Sequence, residues 1–257
     1  MSATARSQIE QLRHQLVGHQ AQHSDRTFLS TGLRSLDALL PHHGLPSGAL
    51  IEFVNDDDGF RSTTIAIKCA VPFLRRPGAL AIVDPLSQFH SAPLEGFGIS
   101  LDRVMMVRPV KGASATFSAL SQRQRSDSLW AIEQLARCSG VQVLLTWVDR
   151  ISSTAQRRLQ LAVEQSGVTV FMIRPHSALR QTSWADLRFH VESDTNRAAH
   201  RDQCGRSTST LSMVRLIRSK NAVQHSGVAR LECHHEAGVV SEISELARSA
   251  SATTTAS

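Results

Sequence analysis

The stretch that most constrains the fold spans residues 47–68 and reads SGALIEFVNDDDGFRSTTIAIK. Its apolar and polar runs predict a buried strand at 50–54, a polar turn at 55–61 and a helix that begins at Ser62. A strand, a tight turn and a helix in this order are the layout of a phosphate-binding loop in an α/β domain. The stretch therefore favours an α/β fold with a nucleotide-type site beside its first long strand.

The residues of this turn lack the chemistry of a working phosphate-binding loop. Such a loop needs glycines that let backbone N–H groups wrap the phosphates, a Lys for the β- and γ-phosphates and a hydroxyl for magnesium. Here three carboxylates stand where phosphate oxygens would bind, and like charges about 4 Å apart repel by about 4 kcal/mol at an effective dielectric of about 20. We take the degenerate loop to be Asn55, Asp56, Asp57, Asp58, Gly59, Arg61, Ser62 and Thr63.

Strand and helix patterns alternate along the rest of the chain. Apolar strands separated by helices of about 10–15 residues indicate a mainly parallel sheet that is covered on both faces. Towards the end of the chain, alternating apolar and polar residues predict half-exposed antiparallel strands instead. After the strand at 50–54, parallel strands are predicted at 79–83, 101–107, 141–146 and 168–173, helices at 63–74 and 154–166, and antiparallel strands at 186–192, 213–218 and 229–234.

The ends of the chain differ from this core. Ile9, Leu12 and Leu16 recur at helical spacing among polar residues, which predicts a short amphipathic helix that contacts a partner or the chain's own core. The predicted organisation is a helix and linker at 1–26, a core at 27–236 with a mobile loop at 195–210, and a disordered tail at 237–257.

Composition restricts the function classes only in part. The 257 residues are 41% hydrophobic, which is enough for a core, and a formal charge of +6 suits an acidic partner such as nucleic acid as well as it suits an ordinary basic protein. The four cysteines form no CxxC pair, so we expect no disulfide framework, no metal site and a reducing cytoplasm. No apolar run reaches about 20 residues, so no membrane association is expected.

Several segments resemble the RecA superfamily. FLSTGLRSLDALL and GLPSGALIEFV resemble the opening of the RecA core, and WADLRFHVES and MVRLIRSKNA resemble the two antiparallel strands after its second DNA-binding loop. The resemblance covers about residues 28–222 in the same order and is strongest to ImuA, the RecA-like accessory proteins of bacterial mutagenesis cassettes, with SulA-like division inhibitors more distant. It implies a RecA-like three-layer core with a mainly parallel sheet and antiparallel edge strands.

The same resemblance shows which catalytic groups are missing. Leu86 stands where RecA has the acidic residue that orients the attacking water, and a leucine cannot hold a water or accept a proton. Trp147 stands in place of the magnesium-associated Asp, and Arg174 falls near the position of the Gln that senses γ-phosphate. Because the P-loop Lys is absent as well, we expect no ATPase activity and no cofactor.

The regions that contact DNA in RecA are reduced. The resemblance implies that the first mobile DNA loop is missing and that the second is shortened to about residues 174–183. Arg174, Arg180 and Arg188 are the candidate phosphate contacts, and arginines that only solvate a surface loop are the alternative, which is slightly favoured. We expect Trp130 in the core, and Trp147 and Trp184 in the volume that a nucleotide would occupy.

Together these observations predict a non-catalytic accessory protein of the SOS response. By resemblance to ImuA, it would bridge error-prone polymerase components and the RecA recombinase during translesion synthesis. Binding of single-stranded DNA is left open. The alternatives are a DNA-stimulated ATPase, in which Arg61 and Asp149 replace the missing groups, and a SulA-like inhibitor of a cytoskeletal GTPase.

Overall fold

The structure is a computed structural model, and it describes residues 26–56, 60–109, 116–194, 209–220, 227–234 and 239–243. The predicted partner helix with Ile9, Leu12 and Leu16 lies outside the described residues, as do residues 195–208 of the predicted mobile loop. No helix among the described residues is long and apolar enough to cross a membrane.

Strands with apolar, β-branched sequences build the centre of the described structure. A short antiparallel pair precedes them. The strands are β1 (Phe28–Leu29), β2 (Leu45–Pro46), β3 (Leu50–Asn55), β4 (Ala79–Val83), β5 (Val104–Val107), β6 (Val141–Trp147), β7 (Thr169–Pro175), β8 (Leu187–Ser193), β9 (Ser209–Ser219), β10 (Ala229–His234) and β11 (Val239–Glu242).

Nine of the described strands form one sheet in the order β11-β10-β9-β8-β3-β7-β6-β4-β5. The strands from β8 to β5 run parallel, whereas β9, β10 and β11 pair antiparallel at one edge. The carboxyl ends of the parallel strands therefore meet along one edge of the sheet, and β3 lies near its middle. The predicted fold class, a mainly parallel sheet with antiparallel edge strands, is confirmed.

Helices cover the sheet where the sequence provides start and stop signals. Ser121 and Gln124 form a capping box at the start of one helix, and Gly167 ends another in the left-handed conformation. The predicted helix at 63–74 is instead an α-helix that is followed by a separate 3₁₀ turn at Phe73–Arg75, because Pro72 cannot donate a helical hydrogen bond. The α-helices are α1 (Arg34–Asp37), α2 (Phe60–Ala70), α3 (Gln122–Leu135) and α4 (Ser153–Ser166).

The two faces of the sheet carry separate hydrophobic cores because side chains alternate along each strand. On β3, Ile51 and Phe53 pack with α2 on one face, whereas Leu50 packs with α3 and α4 on the other. The result is the predicted arrangement of three layers. It also means that a side chain's position along its strand decides which helix it can contact.

Three local predictions need correction. Trp130 is not core: 66% of it is exposed, because the buried stripe of α3 runs through Ser128, Ala131 and Ile132. The strand predicted at 101–107 is shorter, since Leu101–Arg103 form a 3₁₀ turn. Within the segment predicted as a disordered tail from residue 237, Val239–Glu242 pair with β10 as an edge strand.

Candidate functional site at the carboxyl edge of the sheet

The degenerate loop lies between β3 and α2, as the sequence predicts. Asn55 ends β3 and is buried, Asp56 follows it at the surface, and α2 begins at Phe60. Asp57, Asp58 and Gly59 lie outside the described residues. The position is that of a phosphate-binding loop, since it joins a central parallel strand to the amino end of a helix.

Two of the three hydroxyl groups at the start of α2, those of Thr63 and Thr64, are already engaged in the protein. Ser62 is fully buried. Thr63 Oγ1 accepts a hydrogen bond from the indole nitrogen of Trp147 at 3.1 Å, and Thr64 Oγ1 donates one to the carbonyl oxygen of Phe60 at 3.0 Å. A phosphate or magnesium ion at this helix start would have to displace these internal contacts.

Trp147 lies between the central strands and the start of α2. It ends β6 on the sheet face that α2 covers, and its ring lies 5.4 Å from the ring of Phe89. Together with the hydrogen bond to Thr63, this places a bulky apolar side chain where the resemblance to RecA implies a magnesium-associated carboxylate. The prediction that Trp147 lies in the former nucleotide region agrees with its position.

Trp147 takes up only part of the volume that a nucleotide would occupy. A cleft of about 430 Å³ remains between α2 and the segment after β4. Asp84 is in its wall, buried, where it accepts a hydrogen bond from the Phe89 amide at 2.9 Å and lies 3.6 Å from Arg108 Nε. The expectation that packing replaces the whole pocket therefore holds only in part. The cleft is lined by Phe60, Thr63, Thr64, Ile67, Asp84, Leu86, Gln88, Phe89, His90, Pro93, Phe97, Phe117, Trp147 and His234.

Trp184 does not share this position, contrary to the prediction. Its indole nitrogen donates to Ser153 Oγ at 2.7 Å, and the Arg157 guanidinium lies 4.9 Å from the ring centre. Both partners belong to α4, which covers the opposite face of the sheet from α2. Trp184 therefore packs on α4 and leaves the cleft beside Trp147 untouched.

Asp149 and Arg61, the two groups that could replace the missing catalytic residues, do not line this cleft. Asp149 accepts two hydrogen bonds from Arg125 Nη1, at 3.1 and 2.9 Å, on the α3 side of the sheet. Arg61 is not among the residues that line the cleft, and its charge acts on Cys233 of β10. Burial raises the pKa of that thiol to about 12, despite the opposing effects of a hydrogen bond with Ser212 and of Arg61. Neither group is therefore placed to contact a ligand in this cleft.

A buried charge network, missed at the sequence level, lies on the α4 face of β3. Glu52 is fully buried in the middle of the strand. Its Oε1 accepts hydrogen bonds from Gln156 and, at 3.1 Å, from Arg174 Nη1, whereas its Oε2 accepts one from Ser183 at 2.9 Å and lies 3.0 Å from Arg188 Nε. We name these five residues the Glu52 network.

The two arginines of the network are occupied inside the protein. Arg174 also donates to Gln181 Oε1 at 2.6 Å and to the carbonyl oxygen of Asp149 at 3.3 Å. Arg188 donates to the carbonyl oxygens of Gln181, at 3.2 Å, and Ala178. Burial lowers the pKa of Arg188, the charge of Glu52 opposes this, and the nearby arginines add to it.

The predicted DNA contacts are therefore corrected at two of three positions. Arg174 and Arg188 are buried and paired with Glu52, so they hold the shortened loop against the sheet instead of facing a phosphate. Arg180 is exposed and stays a candidate DNA contact. The signal that could have revealed the network is a lone Glu within the apolar run LIEFV, since a buried carboxylate requires compensating donors.

Asp56 forms a second cluster with two histidines at the same edge. Its Oδ1 lies 2.5 Å from His176 Nδ1 and 2.8 Å from His190 Nε2. Partial burial would raise the pKa of Asp56, but the hydrogen bonds and charges of His190 and His176 together lower it below its ordinary value. Neither histidine is predicted as a site residue from the sequence.

Sheet order, layers and the position of the loop define a mixed α/β protein with a RecA-like core. No protein-family model and no curated protein matches the sequence. Among solved structures, 465 chains match, so the fold is widely shared. One of them is the crystal structure of the RadB recombinase, which matches with a TM-score of 0.57 and 15% identity over 84% of this chain and 100% of that chain. At this identity the similarity shows the fold alone.

Removing the single negative charge of the Glu52 network should lower the stability of the fold strongly. Glu52→Gln leaves Arg174 and Arg188 buried without a counter-charge, so we expect the free energy of unfolding to fall by about 3–5 kcal/mol in urea denaturation. Asp127→Asn, which breaks the exposed Arg123–Asp127 pair, should change it by less than about 1 kcal/mol. Equal effects of the two substitutions would contradict a structural role for the network.

Trp147 and Trp130 form a matched pair for testing the packing at the loop. Trp147→Ala removes the contact with Phe89 and the hydrogen bond to Thr63, so we expect the free energy of unfolding to fall by about 2 kcal/mol. Trp130→Ala, at an exposed position, should stay within about 0.5 kcal/mol of wild type. A neutral Trp147→Ala variant would indicate that this tryptophan does not stabilise the fold.

Proposed function

We propose that this chain is a non-catalytic, RecA-like accessory protein of the ImuA kind, which acts in DNA-damage-induced translesion synthesis. In this role it bridges error-prone polymerase components and the RecA recombinase in the cytoplasm, without a cofactor. The proposal rests mainly on the residues at positions that are catalytic in RecA, because here they pack inside the protein. Trp147 packs against Thr63, Leu86 is buried, and Arg174 pairs with Glu52.

Two further observations support this proposal. The fold resembles that of the RadB recombinase, and the sequence segments resemble ImuA in the same order along the chain. The degenerate loop also offers carboxylates where a triphosphate requires donors. A RecA-like scaffold that no longer needs to respond to a nucleotide can present fixed surfaces to other proteins.

The mechanism is binding through exposed surfaces of a rigid core. The amphipathic stripe of Ile9, Leu12 and Leu16 is the proposed contact with the polymerase assembly, because such a stripe docks in an apolar groove of a partner. Single-stranded DNA is a secondary partner in this proposal, with Arg180 as its candidate contact. The binding of DNA would be weak and sensitive to salt, since a few phosphate contacts contribute mainly by releasing counterions.

The second candidate is a DNA-stimulated ATPase, and the cleft favours it. The cleft beside Trp147 has about 430 Å³ and contains the buried carboxylate of Asp84. Phosphate release from ATP, measured with and without single-stranded DNA, separates the two candidates. Turnover that the Asp84→Asn variant abolishes would replace our proposal with this one.

Binding to purified partners tests the proposed function directly. The full chain is immobilised and offered, one at a time, the error-prone polymerase subunits, RecA and the cytoskeletal division GTPase of the same organism. We expect retention of a polymerase subunit, and we expect the combined Ile9→Asp, Leu12→Asp and Leu16→Asp variant to lose at least about tenfold in affinity.

Gln11→Asp is the matched control, because it adds a charge on the same predicted helix about 200° away from Ile9. This variant should bind like wild type. Retention of the division GTPase alone would favour the SulA-like alternative, and equal losses in both variants would remove the apolar stripe from the mechanism.

A further inference from the structure

We propose that Asp56, His176 and His190 bind a divalent transition-metal ion of the zinc class. Their ligand atoms all lie within 4.8 Å of one another at the carboxyl edge of the sheet. The proposal goes beyond the accessory role proposed above and does not depend on it. It also departs from the sequence analysis, which predicted no metal site.

The fold brings these three residues together from distant parts of the chain. Asp56 follows β3, His176 follows β7, and His190 lies on β8, where it pairs with Val54. These three strands are neighbours, with β3 in the middle. The two imidazole rings, whose centres are 5.9 Å apart, therefore converge on the carboxylate from both sides.

The donor set selects the class of ion. Two imidazole nitrogens and one carboxylate oxygen suit zinc and its neighbours, whereas magnesium and calcium prefer oxygen ligands. Tetrahedral bonds of about 2.1 Å place ligand atoms about 3.4 Å apart. The carboxylate oxygen now lies 2.5 and 2.8 Å from the two nitrogens, and the nitrogens lie within 4.8 Å of each other, so shifts of about 1 Å in these side chains bring the three ligand atoms to this spacing.

A carboxylate behind one of the ligands supports the assignment. His190 Nδ1 lies 3.2 Å from Glu192 Oε1, and the other oxygen of Glu192 pairs with Arg215. A histidine that binds a metal usually donates its second ring N–H to such a carboxylate, which fixes the tautomer and orients the ring. Glu192 is therefore a positioning residue, which leaves Nε2 of His190 directed at Asp56 and the ion.

The exposure of the three side chains gives the ion access and leaves a position open. His190 is mostly buried, with 12% of its side chain exposed, whereas Asp56 and His176 are 41% and 59% exposed. Three protein ligands with solvent on one side match the pattern of zinc sites that keep a water ligand. A bound ion would fix the start of the degenerate loop to the 3₁₀ turn at His176–Arg180 and to β8.

Cobalt and zinc binding to the purified full chain tests the proposal. Co²⁺ should bind one to one and give visible absorption bands typical of four-coordinate nitrogen and oxygen ligation, without the ultraviolet band of a cysteine ligand. Zn²⁺ should displace it in a competition titration. Mg²⁺ in excess should leave the cobalt spectrum unchanged.

Variants locate the site. His176→Ala and His190→Gln should each weaken Zn²⁺ binding by more than about 100-fold, and Glu192→Gln should weaken it by about 10- to 100-fold while shifting the cobalt bands. His42→Ala is the matched control, because it removes an exposed histidine outside the cluster and should bind like wild type. Circular dichroism checks each fold, and His176→Ala carries the test if His190→Gln does not fold.

Two results would overturn the proposal. One is the absence of any one-to-one cobalt or zinc binding by the wild-type chain. The other is binding that His176→Ala leaves unchanged, which would place the ion elsewhere. Either result would leave the proposed accessory function intact, since that function is tested by partner binding.

Discussion

The buried carboxylate of Glu52 is the constraint on which the rest of this edge of the sheet depends. An ionised carboxylate inside a sheet is stable only if paired charges and hydrogen bonds compensate the loss of water. Arg174, Arg188, Gln156 and Ser183 supply that compensation from β7, β8, α4 and the segment before β8. The segment that resembles a DNA-binding loop is thereby fixed against the sheet.

At the same edge, the fold of a RecA-like core is present while the side chains make internal contacts. Strand order, layers and the strand–loop–helix unit are those of a RecA-like core. Trp147 takes a position next to Thr63, and Asp149 lies on the α3 side of the sheet, paired with Arg125. A cleft remains, but its wall is mainly apolar, and neither Asp149 nor Arg61 is among the residues that line it.

The sequence was sufficient to predict the fold, but it was insufficient to predict which charged groups contact one another. The core strands were predicted to within a few residues because their apolar runs are local signals. The prediction that Trp130 is buried was wrong because its neighbours in α3 fit the buried stripe better. Arg174 was misread as a DNA contact because its partner, Glu52, lies 122 positions away. The contact between His176 and Asp56, which are separated by 120 positions, was missed for the same reason. Only the folded sheet brings such groups together.

If the carboxyl edge of the sheet is a fixed, packed region, it should not respond to nucleotide. Amide hydrogen exchange of the full chain, with and without a non-hydrolysable ATP analogue, magnesium and single-stranded DNA, measures this response most directly. We expect unchanged protection in β3, α2 and residues 174–184 at millimolar analogue. Slower exchange at the start of α2 and in residues 174–184 on adding the analogue would contradict it.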